Sequence, residues 1–133
     1  MDERITVLVV EDDHLIQAML EEALSDGGFA TATAASGEEA IAILKPDSSK
    51  SKVCAVLTDI NLLGSLDGWE VARVAREIDP TMPVLYMSGT HADQWASRSV
   101  PQSVILLKSF APAQVVTAVS NLINSAKSPV APQ

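Results

Sequence analysis

The chain of 133 residues holds a single cysteine, Cys54, and only two Trp, one Tyr and two Phe. One cysteine excludes an internal disulfide and any Cys-based zinc cluster. Positive charge is also scarce. Nine Lys+Arg stand against 17 Asp+Glu, a formal net charge of −8, the wrong sign for sequence-independent binding to nucleic acid or anionic lipid. No apolar stretch approaches the roughly 18 residues of a membrane helix. The opening run, Ile5 to Val10, is too short for a signal peptide and leads straight into Glu11-Asp12-Asp13. The glycine-rich phosphate loops G-x-x-x-x-G-K-[ST] and G-x-G-x-x-G do not occur. These absences predict a cytoplasmic protein with no nucleic-acid and no membrane partner.

What is present is globular. Hydrophobic residues make up 47% and charged residues 20%, and the length suits one domain with a core of its own. Short β-branched runs alternate with helical patterns. Thr6 to Val10, Val53 to Leu57, Pro83 to Met87 and Val104 to Leu107 read as buried strands, with Phe29 to Ala34 a weaker one. Between them, Leu15, Ile16, Met19, Leu20, Ala23 and Leu24 recur at helical spacing until Gly27-Gly28. Ser36 is placed to cap a second helix, with Glu39 in the capping-box position. Val71, Ala72, Ala75 and Ile78 mark a third, and Val115, Val116, Val119, Leu122, Ile123 and Ala126 a last one. Ala92 to Ser99 makes a poor helix. Five β-α repeats with strands apolar on both faces predict a doubly wound parallel sheet, an α/β fold. Residues 1–127 form the domain in this reading and 128–133 a disordered tail.

The polar residues beside the strands are patterned. Glu11, Asp12 and Asp13 follow the first strand, Asp59 the third, Ser88-Gly89 the fourth and Lys108 the fifth. In an open parallel sheet these ends share one rim, where α/β proteins place ligands. Clustered carboxylates repel unless a hard divalent cation shares them, and magnesium takes one or two carboxylates with carbonyl and phosphate oxygens. A carboxylate beside that cation can attack phosphorus. An ammonium and a hydroxyl can then neutralise the phosphoryl oxygens.

Five segments together are specific: Val-Val-Glu11-Asp12-Asp13, Leu57-Thr-Asp59, Leu66-Asp67-Gly68-Trp69-Glu70, Tyr86-Met-Ser88-Gly89 and Lys108-Ser-Phe110. In this order the chain resembles the receiver domain of two-component response regulators over roughly residues 5–126. The resemblance implies a flavodoxin-like (β/α)5 sheet with strand order 2-1-3-4-5. It implies Asp59 as phospho-acceptor and Mg2+ held by Glu11, Asp12, Asp59 and the Asn61 backbone carbonyl, with Asp12 in direct contact and Glu11 acting through water. Ser88 would be the hydroxyl that meets the phosphoryl group, and Lys108 its ammonium partner. The implied donor is a histidine kinase or phosphotransfer protein, the implied output a changed protein-binding surface, and the implied assembly a monomer or weak dimer. The Met1 start and the end after the last helix fit a stand-alone receiver. Apart from its own phosphoryl transfer and dephosphorylation, such a domain is not an enzyme.

Some residues depart from the family pattern. Ser109 replaces the proline that usually follows the lysine, so a trans Lys108–Ser109 bond is expected, a cis bond costing roughly 2.5–4 kcal/mol. The loop after Asp59 is one residue longer, with Leu63 where proline is common. Ile105 stands where the fifth strand usually carries an aromatic. Thr90 to Ser103 is short for a fourth helix. Two other readings stay beside the main one: a receiver-like binding module independent of phosphorylation, and an Asp-nucleophile phosphatase of haloacid-dehalogenase type. The second lacks the usual second Asp, since Asn61 stands there, and has no room for a cap domain. Asp13, His14, His91, Cys54 and Trp69 read as structural, whereas Trp95 divides evenly between core and partner contact. The acids away from the rim, such as Glu21-Glu22 and Glu38-Glu39, read as solvated helix faces.

Overall fold

A computed structural model describes residues 4–45, 52–62, 64–89, 94–108 and 110–127. Strands and helices alternate: β1 (Thr6–Val10), α1 (His14–Asp26), β2 (Ala30–Ala34), α2 (Gly37–Leu44), β3 (Val53–Asp59), α3 (Gly68–Ile78), β4 (Val84–Ser88), α4 (Trp95–Arg98), β5 (Val104–Leu107) and α5 (Pro112–Lys127). All strand pairs are parallel and the order is β2-β1-β3-β4-β5, as expected. The register aligns the strand ends: Val10 lies opposite Thr58, Asp59 opposite Met87, and Ser88 opposite Leu107.

Side chains alternate across the sheet and divide the core in two. Leu8, Val10, Val56 and Tyr86 pack with Trp69, Val71, Ala72 and Ala75 of α3. Val7, Val9, Leu57, Leu85 and Met87 pack with Leu20 and Leu24 of α1 and Val115, Val119 and Ile123 of α5. Each fully buried aliphatic side chain contributes about 1.5–3 kcal/mol, so the three central strands are the stable floor of the rim.

The caps follow the sequence. Ser36 Oγ accepts from Glu39 N at 3.1 Å, and Glu39 Oε1 accepts from Ala35 N at 2.8 Å, one residue upstream of the usual capping-box partner. Asp13 caps α1, its Oδ1 accepting from Leu15 N at 2.9 Å and Ile16 N at 3.3 Å.

Three expectations are corrected. Leu15 is 83% exposed, because its cap-adjacent position turns it away from the sheet while Leu20 and Leu24 take the buried stripe. β5 is not apolar-buried on both faces: as an edge strand it leaves Val104 and Leu107 exposed. Cys54 is half-buried, its thiol 3.8 Å from Lys52 O. The fourth helix is one turn, Trp95–Arg98. Half-buried Trp95 packs against the α3-side core, and Ile105 does the same from β5. Leu63, His91, Ser109, the Lys108–Ser109 bond and residues 128–133 lie outside the described residues.

The segment leading into β5 is tied down from below. Arg76 of α3 donates to Met82 O at 2.6 Å, Pro101 O at 2.5 Å and Gln102 O at 3.3 Å. The Tyr86 hydroxyl accepts from Val100 N at 3.1 Å, and Ser103 Oγ donates to Val100 O at 2.8 Å. Tyr86 in turn rests on Trp69, ring centroids 4.8 Å apart, and Arg98 covers the Trp69 ring at 5.5 Å.

Candidate functional site

β1 stops at Val10 because the next residues are acids. Glu11 nevertheless continues inward, only 1% exposed, its N–H donating to Ala34 O at 3.0 Å. Gln17 of α1 donates its amide to Glu11 O at 3.0 Å and Ala34 O at 3.3 Å, so the turn out of β1 is held by a side chain one helical turn away. Glu11 Oε2 accepts from Asp13 N at 3.2 Å.

Asp59 is the last residue of β3 and is buried. Its backbone is boxed in: Ile60 N donates to Met87 O at 3.1 Å, and Gly68 N to Ile60 O at 2.8 Å. A Cβ on Gly68 would overlap Asp59 O, so α3 starts against the Asp59 carbonyl and only glycine fits there. Ser88 ends β4, 2% exposed. Beside it, Gly89 has open space, where a Cβ would touch nothing within 4 Å. Lys108 N donates to Ser88 O at 2.8 Å, which fixes the lysine backbone at the same rim.

The side chains converge. Carboxylate oxygens of Glu11, Asp12 and Asp59 lie within 4.8 Å of one another. Lys108 Nζ donates to Asp59 Oδ2 at 2.8 Å and sits 3.3 Å from Glu11 Oε1. That contact is an ion pair only, because Glu11 Oε1 is buried and accepts no hydrogen bond. Burial, with the nearby Asp59 charge, pushes the Glu11 pKa up to about 7, against the pull of the Asp13 N–H and Lys108. Burial works against the Lys108 ammonium, but the hydrogen bond and charge of Asp59, together with Glu11, outweigh it and hold its pKa above the ordinary lysine value.

Three carboxylates offering oxygens within 4.8 Å of one another, one of them with a buried oxygen that accepts no hydrogen bond, fit a hard divalent cation. Calcium and magnesium prefer oxygen ligands, and a cation would offset the buried charge and the Asp59 repulsion that raise Glu11. Asn61, two residues after Asp59, is exposed at the same rim.

A sequence profile described as "Response regulator receiver domain" matches residues 7–120. The chain belongs to the response regulator receiver family. The transcriptional regulatory protein PrrA of Mycobacterium tuberculosis is 34% identical over 119 residues, 88% of this chain and 49% of that protein. The sensor kinase CckA of Brucella abortus is 30% identical over 121 residues, 89% of this chain and 12% of the kinase. A crystal structure of a response regulator receiver protein from Sinorhizobium medicae superposes with a TM-score of 0.88 at 45% identity, covering 94% of this chain and 98% of that one. The chain thus spans about half the length of PrrA and about an eighth of CckA.

The receiver brings together the sequence-named Glu11, Asp12, Asp59 and Lys108, with Ser88 on the neighbouring strand end. Asp13 stays outside the cluster as a helix cap. Gln17 gave no signal in the sequence, being one polar residue on a helix; Gly68 was visible only as part of a motif, because its contact with Asp59 is long-range, and Glu38 read as a solvated helix acid. Among the described residues no helix is long and apolar enough to cross a membrane.

Proposed function

We propose that this receiver is a phosphorylation-dependent signalling switch or relay whose acceptor is Asp59. The observation that carries the reading is the Lys108 ammonium 2.8 Å from Asp59 Oδ2 inside a cluster of three carboxylates. Mg2+ would be held by Glu11, Asp12, Asp59 and the Asn61 backbone carbonyl, and when bound it supplies positive charge for the phosphoryl oxygens. The donor is the phosphohistidine of a histidine kinase or phosphotransfer protein.

In the transfer, a lone pair of the Asp59 carboxylate forms the new O–P bond as the P–N bond to the donor imidazole breaks, and the leaving nitrogen keeps that electron pair. Lys108 neutralises charge at the acceptor, and the Ser88 hydroxyl donates to a phosphoryl oxygen. The open space at Gly89 leaves room for the incoming group. Hydrolysis returns the Asp59 carboxylate and inorganic phosphate, which makes the switch reversible. The downstream partner is a protein that reads the changed surface of a cytoplasmic monomer or weak dimer. The domain spans residues 1–127.

Incubation with Mg2+ and acetyl phosphate, read by intact mass, tests this. One added phosphoryl group is expected, absent in Asp59→Asn. No addition from acetyl phosphate or from any histidine-kinase donor overturns the reading.

A further inference from the structure

The loop between Ile60 and Gly68 leaves the acceptor strand and returns to α3, and it is fixed at two places. Its base is closed by Gly68 N donating to Ile60 O at 2.8 Å. Its far end is held by α2, the helix that follows β2. Glu38 Oε2 accepts from Ser65 N at 3.2 Å and from Ser65 Oγ at 2.8 Å. The contact continues on both sides. Gly64 has φ +98°, a conformation that favours glycine, and a Cβ there would lie 2.9 Å from Glu38 Oε1. A Cβ on Gly37 would lie 2.7 Å from Leu66 Cβ and 2.9 Å from Leu66 O. The first turn of α2 and the crest of this loop are therefore fitted to each other.

Glu38 was expected to be a solvated helix acid. Instead its hydrogen bonds to Ser65 hold its pKa below the usual glutamate value. Asn61, Gly64 and Ser65 are exposed, whereas half-buried Leu62 packs against the α3-side core, so the bonds to Glu38 add a second tie, at the crest, to the loop that carries the Asn61 carbonyl.

We infer that Glu38 is a positioning residue for cation binding: through Ser65 it holds the loop that presents the Asn61 carbonyl to the acidic cluster. The inference rests on the phospho-acceptor reading above. Partners that orient metal ligands typically cost about 10–100-fold in affinity when removed. Glu38 is exposed and acts on the loop through the Ser65 hydroxyl and N–H rather than on a ligand atom, so the expected loss is smaller, about three- to tenfold.

The test is Mg2+ titration of the metal-free protein by amide NMR, alongside hydrogen exchange at Ser65 and the unfolding temperature. In Glu38→Ala, Mg2+ binding weakens about three- to tenfold, Ser65 exchange speeds up, and the unfolding temperature holds. Glu38→Gln keeps an acceptor oxygen and restores binding. Ser65→Ala weakens binding in the same direction, and the double variant Glu38→Ala/Ser65→Ala is no worse than the stronger single one. Mg2+ affinity unchanged in Glu38→Ala overturns the inference while phosphorylation of Asp59 stands. If Glu38→Ala does not fold, Ser65→Ala decides by the same affinity criterion. Failure of the parent protein to bind Mg2+ or take up phosphoryl overturns the underlying reading instead.

Discussion

Replacing Glu11 by Gln should make the metal-free receiver more stable at alkaline pH and cost it its cation. Glu11 is 1% exposed and its pKa is raised from 4.5 to about 7 by burial and the Asp59 charge. A carboxyl whose folded pKa is raised binds its proton more tightly in the folded state. Stability is then untouched below about 4.5, falls as pH rises, and the loss is complete above about 7. Each unit is worth about 1.4 kcal/mol, so the ceiling is about 3 kcal/mol. Gln removes that charge. It also places an amide NH2 where one Glu11 oxygen now faces Lys108 Nζ at 3.3 Å, a mismatch that lowers the gain to about 1–2 kcal/mol. Because Lys108 stays charged throughout, the mismatch is the same at every pH across this range, and the slope identifies the cause. Urea unfolding in a chelator, run on both proteins from about pH 5 to about pH 8, measures it. The Gln variant should gain on the parent as pH rises, and Mg2+ should stabilise only the parent. A stability difference independent of pH would refute the account of Glu11 as a strained buried charge.

Other changes give further expectations. Gly68→Ala should lower stability by more than about 2 kcal/mol and abolish phosphoryl uptake, since its Cβ overlaps Asp59 O; intact mass and thermal unfolding read both. Tyr86→Phe removes the acceptor for Val100 N and should cost about 1–3 kcal/mol, with faster amide exchange at Val100 while β1 and β3 stay protected. Leu15→Ala, at a position 83% exposed, should change stability by less than about 0.5 kcal/mol in chemical denaturation.

The central strands were legible because Val7 to Val10, Ala55 to Leu57 and Val84 to Met87 are buried on both faces and carry no competing helical period. Asp59 and Lys108 were legible for a related reason: a charged residue ending an apolar run has nowhere to go but the rim. Edges were harder. β5 is as apolar in sequence as β3, yet exposes Leu107, because edge position is a property of strand order and not of the strand. Leu15 sits one residue beyond the helix start, where helical spacing and burial part company. The ties made by Arg76, Tyr86 and Glu38 were not readable, since each joins residues distant in sequence, Arg76 and Tyr86 through backbone atoms that any residue would supply and Glu38 through the N–H and hydroxyl of Ser65.

The acid surplus also takes a physical shape. Glu11, Asp12 and Asp59 bring three formal negative charges together, and the Lys108 ammonium bridges two of them, Glu11 and Asp59. Such a pocket is held together by the fold against the cost of burying charge and against its own repulsion, as the raised Glu11 pKa records. The floor that withstands it is the three central strands, and Gly68 locks the acceptor's backbone onto that floor. Charge added at Asp59 therefore falls on a rigid base and a tense rim. On the proposed function, a cation would lower the tension and a phosphoryl group would redistribute it. At the sheet's edge α4 is one turn and β5 is the last strand of the order, with Val104 and Leu107 exposed. Tyr86 lies two residues before Ser88 on the same strand and bonds Val100, so the rim and that edge share a strand and one hydrogen bond.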